Sequence, residues 1–493
     1  MCGMLRHLVC AYCLIFFLAC QLPAQAPPAA ITGINVVDVA RGEIRAGQTV
    51  VIANGLIEAV GPSDSVNIPA NSVRIPGDGR YLMPGLWDMH VHLRSDQKNT
   101  VIRLMDENAA LLDLFLPNGI VGIREMGGDI GDEIMHWREE IRAGKRTGPR
   151  IITAGRKIDQ EPPTWAGSLG LKTAAEARES VRQVKQSGAD FVKIYFTRVQ
   201  PEVLHAVIEE AHKLGLKVTG HKPINISIQE FVESGIDGME HSQYLPAANR
   251  DEFDRFASER DRRLDTAWSM DGVEGAARLL AMEDKKESET VYRRMAEKQF
   301  WVDPTLTVYA LGLEVGIRDF ETDARKRFIL PGIWATWDPK LGFRNQVQGR
   351  ALELRRISVK HWQEATLAAH KAGVPMILGT DCGANNNYVF PGWSVHEELA
   401  ELVKAGLTPA EALRMATVNA ARSRGESDTQ GSVERGKVAD LLMLRSNPLE
   451  AIRHTQEIDA VFKGGKRYVR SDLDSMLRQV EEKVTAARRK PSI

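Results

Sequence analysis

The stretch Gly188-Ala-Asp-Phe-Val-Lys193-Ile-Tyr-Phe196 sets the pattern of the chain: a glycine, then a short apolar run. Glycine just past a helix takes the left-handed conformation without a Cβ clash, so it marks a helix-to-strand junction. The same arrangement recurs at Gly119 before 120–124, Gly215 before 216–219, Gly235 before 236–240 and Gly373 before 374–378. Adding 86–92, 150–154 and 300–303 gives eight strands that alternate with helices between Met83 and Arg422. That alternation predicts an α/β chain with a (β/α)8 barrel enlarged by insertions; a doubly wound open sheet is the competing arrangement.

Outside this region both ends read as strands. Residues 33–39, 48–53 and 56–60 are strand-like, with Asn54-Gly55 a two-residue hairpin turn, and 438–444 and 458–469 are similar, the latter turning at Gly464-Gly465. The expected divisions are 31–83 and 426–470 as β-rich parts, 84–425 as the barrel, and 471–493 as a C-terminal helix or tail.

The chain has 493 residues, 43% hydrophobic and 26% charged, which is the composition of a globular protein. With 64 basic and 65 acidic residues there is no basic field for nucleic acid. Four of the five cysteines fall in the first twenty residues together with the longest apolar run, 8–20. Arg6 and His7 precede that run and Ala24-Gln25-Ala26 follows it, so 1–26 reads as a signal peptide cut after Ala26. Export to the periplasm or medium follows, with no stable membrane span after cleavage; a lipid anchor on Cys20 is the alternative. The mature chain then keeps one thiol, Cys382, and no internal disulfide.

Within Leu86-Trp87-Asp88-Met89-His90-Val91-His92 polar and apolar residues alternate from Asp88, so His90 and His92 share one face of a strand. Two imidazoles one pleat apart can bind one metal ion, although an isolated H-x-H also fits two hydrogen-bonded core histidines. His221, His241 and Asp381 end three further strands. Four histidines and a carboxylate at four strand ends would be costly if buried without partners, which favours a metal site. Lys193 stands in the middle of an apolar strand, where a cation is expensive unless paired or neutralised. A depressed pKa would let its amine add carbon dioxide, giving an anionic ligand able to bridge two cations; a lysine snorkelling at a strand end is the plainer reading. Tyr195 lies one pleat from Lys193 on the same face, so it points inward and is a candidate contact for a substrate carbonyl or carboxylate. His396, in Ser394-x-x-Glu397, is a candidate substrate contact or a first-turn residue near the mouth.

These motifs, with Pro84-Gly-Leu-Trp-Asp-Met-His-Val-His92, Gly220-His221, Met239-Glu240-His241, Gly379-Thr380-Asp381 and Gly436-Lys-Val-Ala-Asp440-Leu, resemble the amidohydrolase superfamily of metal-dependent hydrolases. Closest in style is its imidazolonepropionase-like and Xaa-Pro dipeptidase-like branch. The resemblance implies a TIM barrel with a composite β-sandwich built from both termini. It assigns His90, His92 and Asp381 to one divalent ion, His221 and His241 to another, and a carboxylated Lys193 as bridge; family members usually hold zinc. It further implies hydrolysis of a C–N amide bond through a hydroxide bridging the metals, with Asp381 moving the proton. Arg124-Glu125-Met126-Gly-Gly departs conservatively from the family's Arg-Asp-Met-Gly-Gly. The expected substrate is a small amide or peptide, such as a dipeptide or N-acyl amino acid. Cyclic amides, lactones and phosphotriesters, or an inactive binding protein, are the alternatives, and a homo-oligomer is left open.

Among loop residues, Trp165, Tyr309, Trp334, Trp337 and 382–393 could line a pocket or pack the loops. The charged stretch 249–299 reads as solvated helices.

Overall fold

The computed structural model describes residues 27–94, 104–165, 167–248, 251, 281–339 and 348–489. The expected leader and most of 249–299 lie outside the described residues.

Strands from both ends of the chain build one eight-stranded sheet. Its members are β1 (Ala29–Asp38), β2 (Glu43–Ala53), β3 (Leu56–Pro62), β4 (Val73–Pro76) and β5 (Tyr81–Pro84), then β16 (Leu441–Leu444), β17 (Ile458–Lys463) and β18 (Lys466–Val469). The order is β18-β17-β16-β5-β1-β2-β3, with β4 paired to β1. The sheet curls back on itself. Ile57 N–H donates to the Lys437 carbonyl and Ala439 N–H to that of Gly55, each at 2.8 Å, tying β3 to the segment that leads into β16. Inside the curl lies an apolar core that includes Ile31, Ile34, Val50, Ile57, Met443 and Phe462.

The middle of the chain supplies parallel strands. They are β6 (Leu86–His92), β7 (Ile120–Glu125), β8 (Arg150–Thr153), β9 (Ile158–Gln160), β10 (Leu169–Leu171), β11 (Val192–Tyr195), β12 (Val218–Gly220), β13 (Gly238–Glu240), β14 (Trp301–Asp303) and β15 (Cys382–Gly383). They form two sheets, β10-β9-β11-β12-β13-β14 and β15-β6-β7-β8. The result is an α/β fold consistent with a TIM-barrel-like domain plus a sheet domain. All five junction glycines named above have positive φ, from 70° at Gly215 to 88° at Gly235 and Gly373, the left-handed geometry that the helix-stop reading requires.

Two features differ from the expectation. Between residues 374 and 378 there is one parallel bridge, Val302 with Met376, instead of a regular strand. Pro375 offers no N–H to a ladder. Further on, the Asp88 carboxylate captures the Thr380 N–H at 3.0 Å, so this segment is held by a side chain as much as by backbone. The other difference is the pair β9 and β10, an excursion after β8 that carries no helix between its strands. At the two seams between the sheets, Asp190 N–H donates to the Thr153 carbonyl at 2.9 Å and Ile377 N–H to that of Val302 at 3.0 Å. Met89 N–H likewise donates to the Leu378 carbonyl at 2.8 Å.

Trp87 on β6 lies over Gly122 on β7, to which it is paired. A Cβ at Gly122 would fall 2.3 Å from the indole. Gly122→Ala is therefore expected to destabilise the fold by about 1–3 kcal/mol through overpacking. Equilibrium denaturation checks this, and an unchanged midpoint would show that Trp87 can move aside.

Candidate metal centre

All seven residues of β6 are buried, and its register with β7 carries His90 and His92 to the end of the strand where loops meet. His241 follows β13 and Asp381 immediately precedes β15, both in the left-handed region, with φ of 74° and 60°. Backbone of that kind at a non-glycine residue costs roughly 1–3 kcal/mol and persists where the surroundings over-determine it. Here it turns both side chains toward His90, whose ring centroid is 5.0 Å from that of His241. Asp381 Oδ1 lies 3.5 Å from His90 Nε2 and 3.3 Å from His92 Nε2. His221 Nε2 faces His241 Nε2 at 2.9 Å. Lys193 sits on β11 opposite Thr219 of β12, buried among these groups.

The outer nitrogen of each ring is spoken for. His90 Nδ1 meets Glu240 Oε2 at 3.0 Å, His92 Nδ1 the Gly127 carbonyl at 3.3 Å, and His241 Nδ1 the Thr305 hydroxyl at 2.7 Å. A carboxylate and a carbonyl can only accept, so His90 and His92 carry their proton on Nδ1 and turn an Nε2 lone pair inward. Burial pushes all four imidazoles below their ordinary range, His241 to about 3, so each is neutral near pH 7. Among the described residues His90 Nε2 has no hydrogen-bond partner. Inward lone pairs facing an acceptor carboxylate repel one another unless a cation lies between them. Ligand atoms of His90, His241 and Asp381 all lie within 4.8 Å of one another, a donor set and spacing that fit a divalent ion.

Lys193 is the other anomaly. Among the described residues its buried Nζ has no hydrogen-bond partner, and burial lowers its pKa to about 8, against the pull of Glu240 and with the push of Arg124.

Residues 81–468 match the profile of the Amidohydrolase family. The chain belongs to that family. It is thus a hydrolase acting on carbon–nitrogen bonds, in a family that typically uses divalent metal. The ochratoxinase of Aspergillus niger is 24% identical, over 87% of this chain and 84% of its own. The imidazolonepropionase of Geobacillus kaustophilus is 37% identical over 103 residues, 19% of this chain and 23% of its own. Among solved structures, a Xaa-Pro dipeptidase has the same fold, with a TM-score of 0.65 at 19% identity, covering 90% of this chain and 100% of its own.

In this amidohydrolase the structure brings together His90, His92, Lys193, His221, His241 and Asp381. Tyr195 joins them, its ring centroid 4.2 Å from that of His221. His396 does not. It is buried elsewhere, with Nδ1 at 2.8 Å from the Thr455 hydroxyl and Nε2 at 2.9 Å from the Asn118 carbonyl. Ser394 does bond Glu397, at 2.7 Å, but inside a helix whose N-cap is Gly392. Trp337 is also packing, fully buried with its Nε1 donating to the Gly383 carbonyl at 2.8 Å.

Residue reading alone passed over the groups that hold the ligands: Glu240, Arg124, Thr305 and Asn386, whose Nδ2 donates to Asp381 Oδ1 at 2.8 Å. One signal was present. Glu240 is a charge at the end of the short strand β13 and, like Lys193 within β11, is buried, where it demands a partner.

His396→Ala removes the donor to the Asn118 carbonyl, while the Thr455 hydroxyl keeps the Ile452 carbonyl at 2.8 Å, and is expected to cost about 1–3 kcal/mol of stability. Metal content by elemental analysis should equal wild type; loss of metal with stability intact would return His396 to the site.

Proposed function

We propose that this chain is an exported amidohydrolase that cleaves the amide bond of dipeptides or N-acyl amino acids at a binuclear centre, with zinc the first candidate metal. The observation that carries the reading is the convergence of four neutral histidines and Asp381 beside a buried lysine that has no hydrogen-bond partner among the described residues. His90, His92 and Asp381 would hold one ion and His221 and His241 the other. Lys193 would complete the set if its neutral amine added carbon dioxide, forming an N–C bond and releasing one proton; the neutral amine would then become an anionic oxygen ligand for the ions. In this reading the two parallel sheets are one (β/α)8 barrel, 84–425, closed at its seams by the bonds given above. Segments 31–83 and 426–470 make the sandwich, 471–493 the C-terminal helix, and 1–26 the leader.

Bound divalent ions supply polarisation of the scissile carbonyl and a lower pKa for water. The chain's own residues do the rest. Asp381, steadied by Asn386, would take a proton from the attacking water and return it to the leaving nitrogen. Tyr195, half-buried against His221, would meet the carbonyl or carboxylate of the substrate. The relatives favour amino-acid amides: one is named for Xaa-Pro dipeptides and has methionine bound in its active site.

A hydrolysis screen of metal-reconstituted protein with dipeptides, N-acyl amino acids, cyclic ureides, lactones and phosphotriesters tests the substrate class. Turnover of the first two groups is expected. Turnover of esters alone would overturn the amide assignment, and two bound metals without any turnover would favour a binding protein. Asp381→Asn should lower kcat by roughly 100-fold or more, while a rate near wild type with metal retained would remove the proton role. Lys193→Met replaces a buried amine with an apolar chain of similar length, so folding should survive. Metal stoichiometry should fall below two per chain, and a stoichiometry of two would exclude the bridge.

A further inference from the structure

A second cluster of metal-ligating side chains, His90, Glu240 and Asp303, lies against the first, and it already holds a cation. Arg124 Nη2 donates to Glu240 Oε2 at 2.8 Å and lies 3.4 Å from Asp303 Oδ2, while its Nε donates to the Met89 carbonyl at 2.6 Å. The same Glu240 oxygen faces His90 Nδ1 at 3.0 Å, and the other accepts from the Thr219 hydroxyl at 2.7 Å. Four strands, β6, β7, β12 and β13, thus meet through one carboxylate.

We propose that Arg124, Thr219 and Glu240 are positioning residues that fix His90 and thereby set the metal affinity of the centre, and that Arg124 is reachable by small cations from the opposite end of the strands. The inference rests on the metal-centre reading above. An acceptor-only carboxylate at Nδ1 keeps the His90 proton on that nitrogen, so Nε2 stays a ligand, and it makes the ring more electron-rich. Glu240 can do this only if it is itself held. Thr219 binds one oxygen, and Arg124 supplies both the opposing charge and a direct tie to the β6 backbone at Met89, next to the ring it serves. Arg124 also explains why the second cluster is no metal site: a guanidinium already fills it.

The second part follows from a cavity of about 300 Å³ among the described residues, bordered by Arg124, Thr219, Met89, Phe191 and Arg424. Its other walls include Gly215, Lys217 and Asp237, which precede β12 and β13, so it opens at the N-terminal ends of the strands, away from the histidines. Guanidinium is far smaller than this space. A truncated Arg124 should therefore accept the free ion in place of its lost head group.

The test measures metal affinity by competition with a chelator, and the visible spectrum of the cobalt-substituted protein, for wild type and variants matched in fold by circular dichroism. Glu240→Gln is expected to bind metal roughly 10–100-fold more weakly with an altered cobalt spectrum. Arg124→Ala should show a similar loss that guanidinium, at tens of millimolar, reverses several-fold and ammonium does not. Metal affinity in Glu240→Gln within twofold of wild type overturns the clamp, and failure of guanidinium to restore Arg124→Ala overturns the access. Should Glu240→Gln not fold, Thr219→Val tests the same clamp: a several-fold loss supports it and a value within twofold of wild type overturns it. A wild type that binds no divalent metal overturns the metal-centre reading, a result distinct from wild type and variant binding alike.

Discussion

Lone pairs that converge without a proton between them are the constraint around which this structure is arranged. His90 and His92 are held as neutral rings with Nε2 turned inward, because Glu240 and the Gly127 carbonyl can only accept from the other nitrogen. The Asp381 carboxylate then stands 3.3–3.5 Å from both. Such an arrangement is stable only if the fold enforces it or a cation occupies it. Much of the neighbouring structure is enforcement. Two of the residues involved adopt left-handed backbone, and Thr305, which bonds His241, does so as well, with φ of 48°. Asp88 splices β6 to the turn carrying Asp381 by accepting from His90 N–H, Thr380 N–H and the Thr380 hydroxyl, at 3.1, 3.0 and 2.7 Å.

Asp88 also shows why the parallel strands do not read as one continuous ladder. Where backbone pairing lapses, between Val302 and β6, a buried carboxylate takes over, and burial pushes its pKa up to about 7 despite the bonds from Thr380 and His90. Asp190 has a similar place at the other seam, accepting from Thr153 N–H at 2.8 Å. Side chains at these positions free the ends of the strands from strict ladder geometry. That freedom lets Asp381 turn inward where a regular strand would carry it past.

The alternation of helix and strand was legible because each junction glycine has a physical reason to be there, and the strand-end histidines were legible because β6 alternates strictly. The eighth strand was misjudged, since apolar character in 374–378 reports burial and not ladder hydrogen bonds, and Pro375 weakens the latter. His396 misled for a related reason: proximity to a capping pattern says nothing about which way a buried ring faces, and its partners, Asn118 and Thr455, are distant in sequence. Glu240 and Arg124 escaped notice because their importance lies in a pairing across 116 residues. A lone buried charge in a sequence predicts that a partner exists without saying where.

Anomalous diffraction from crystals of the metal-loaded protein, collected at the absorption edge of the bound metal, tests the central claim most directly. Two peaks are expected, one bounded by His90, His92 and Asp381 and one by His221 and His241, with continuous density from Lys193 Nζ toward both. No peak among these residues, or a peak in the cluster of His90, Glu240 and Asp303 with Arg124 displaced, would contradict the proposed centre.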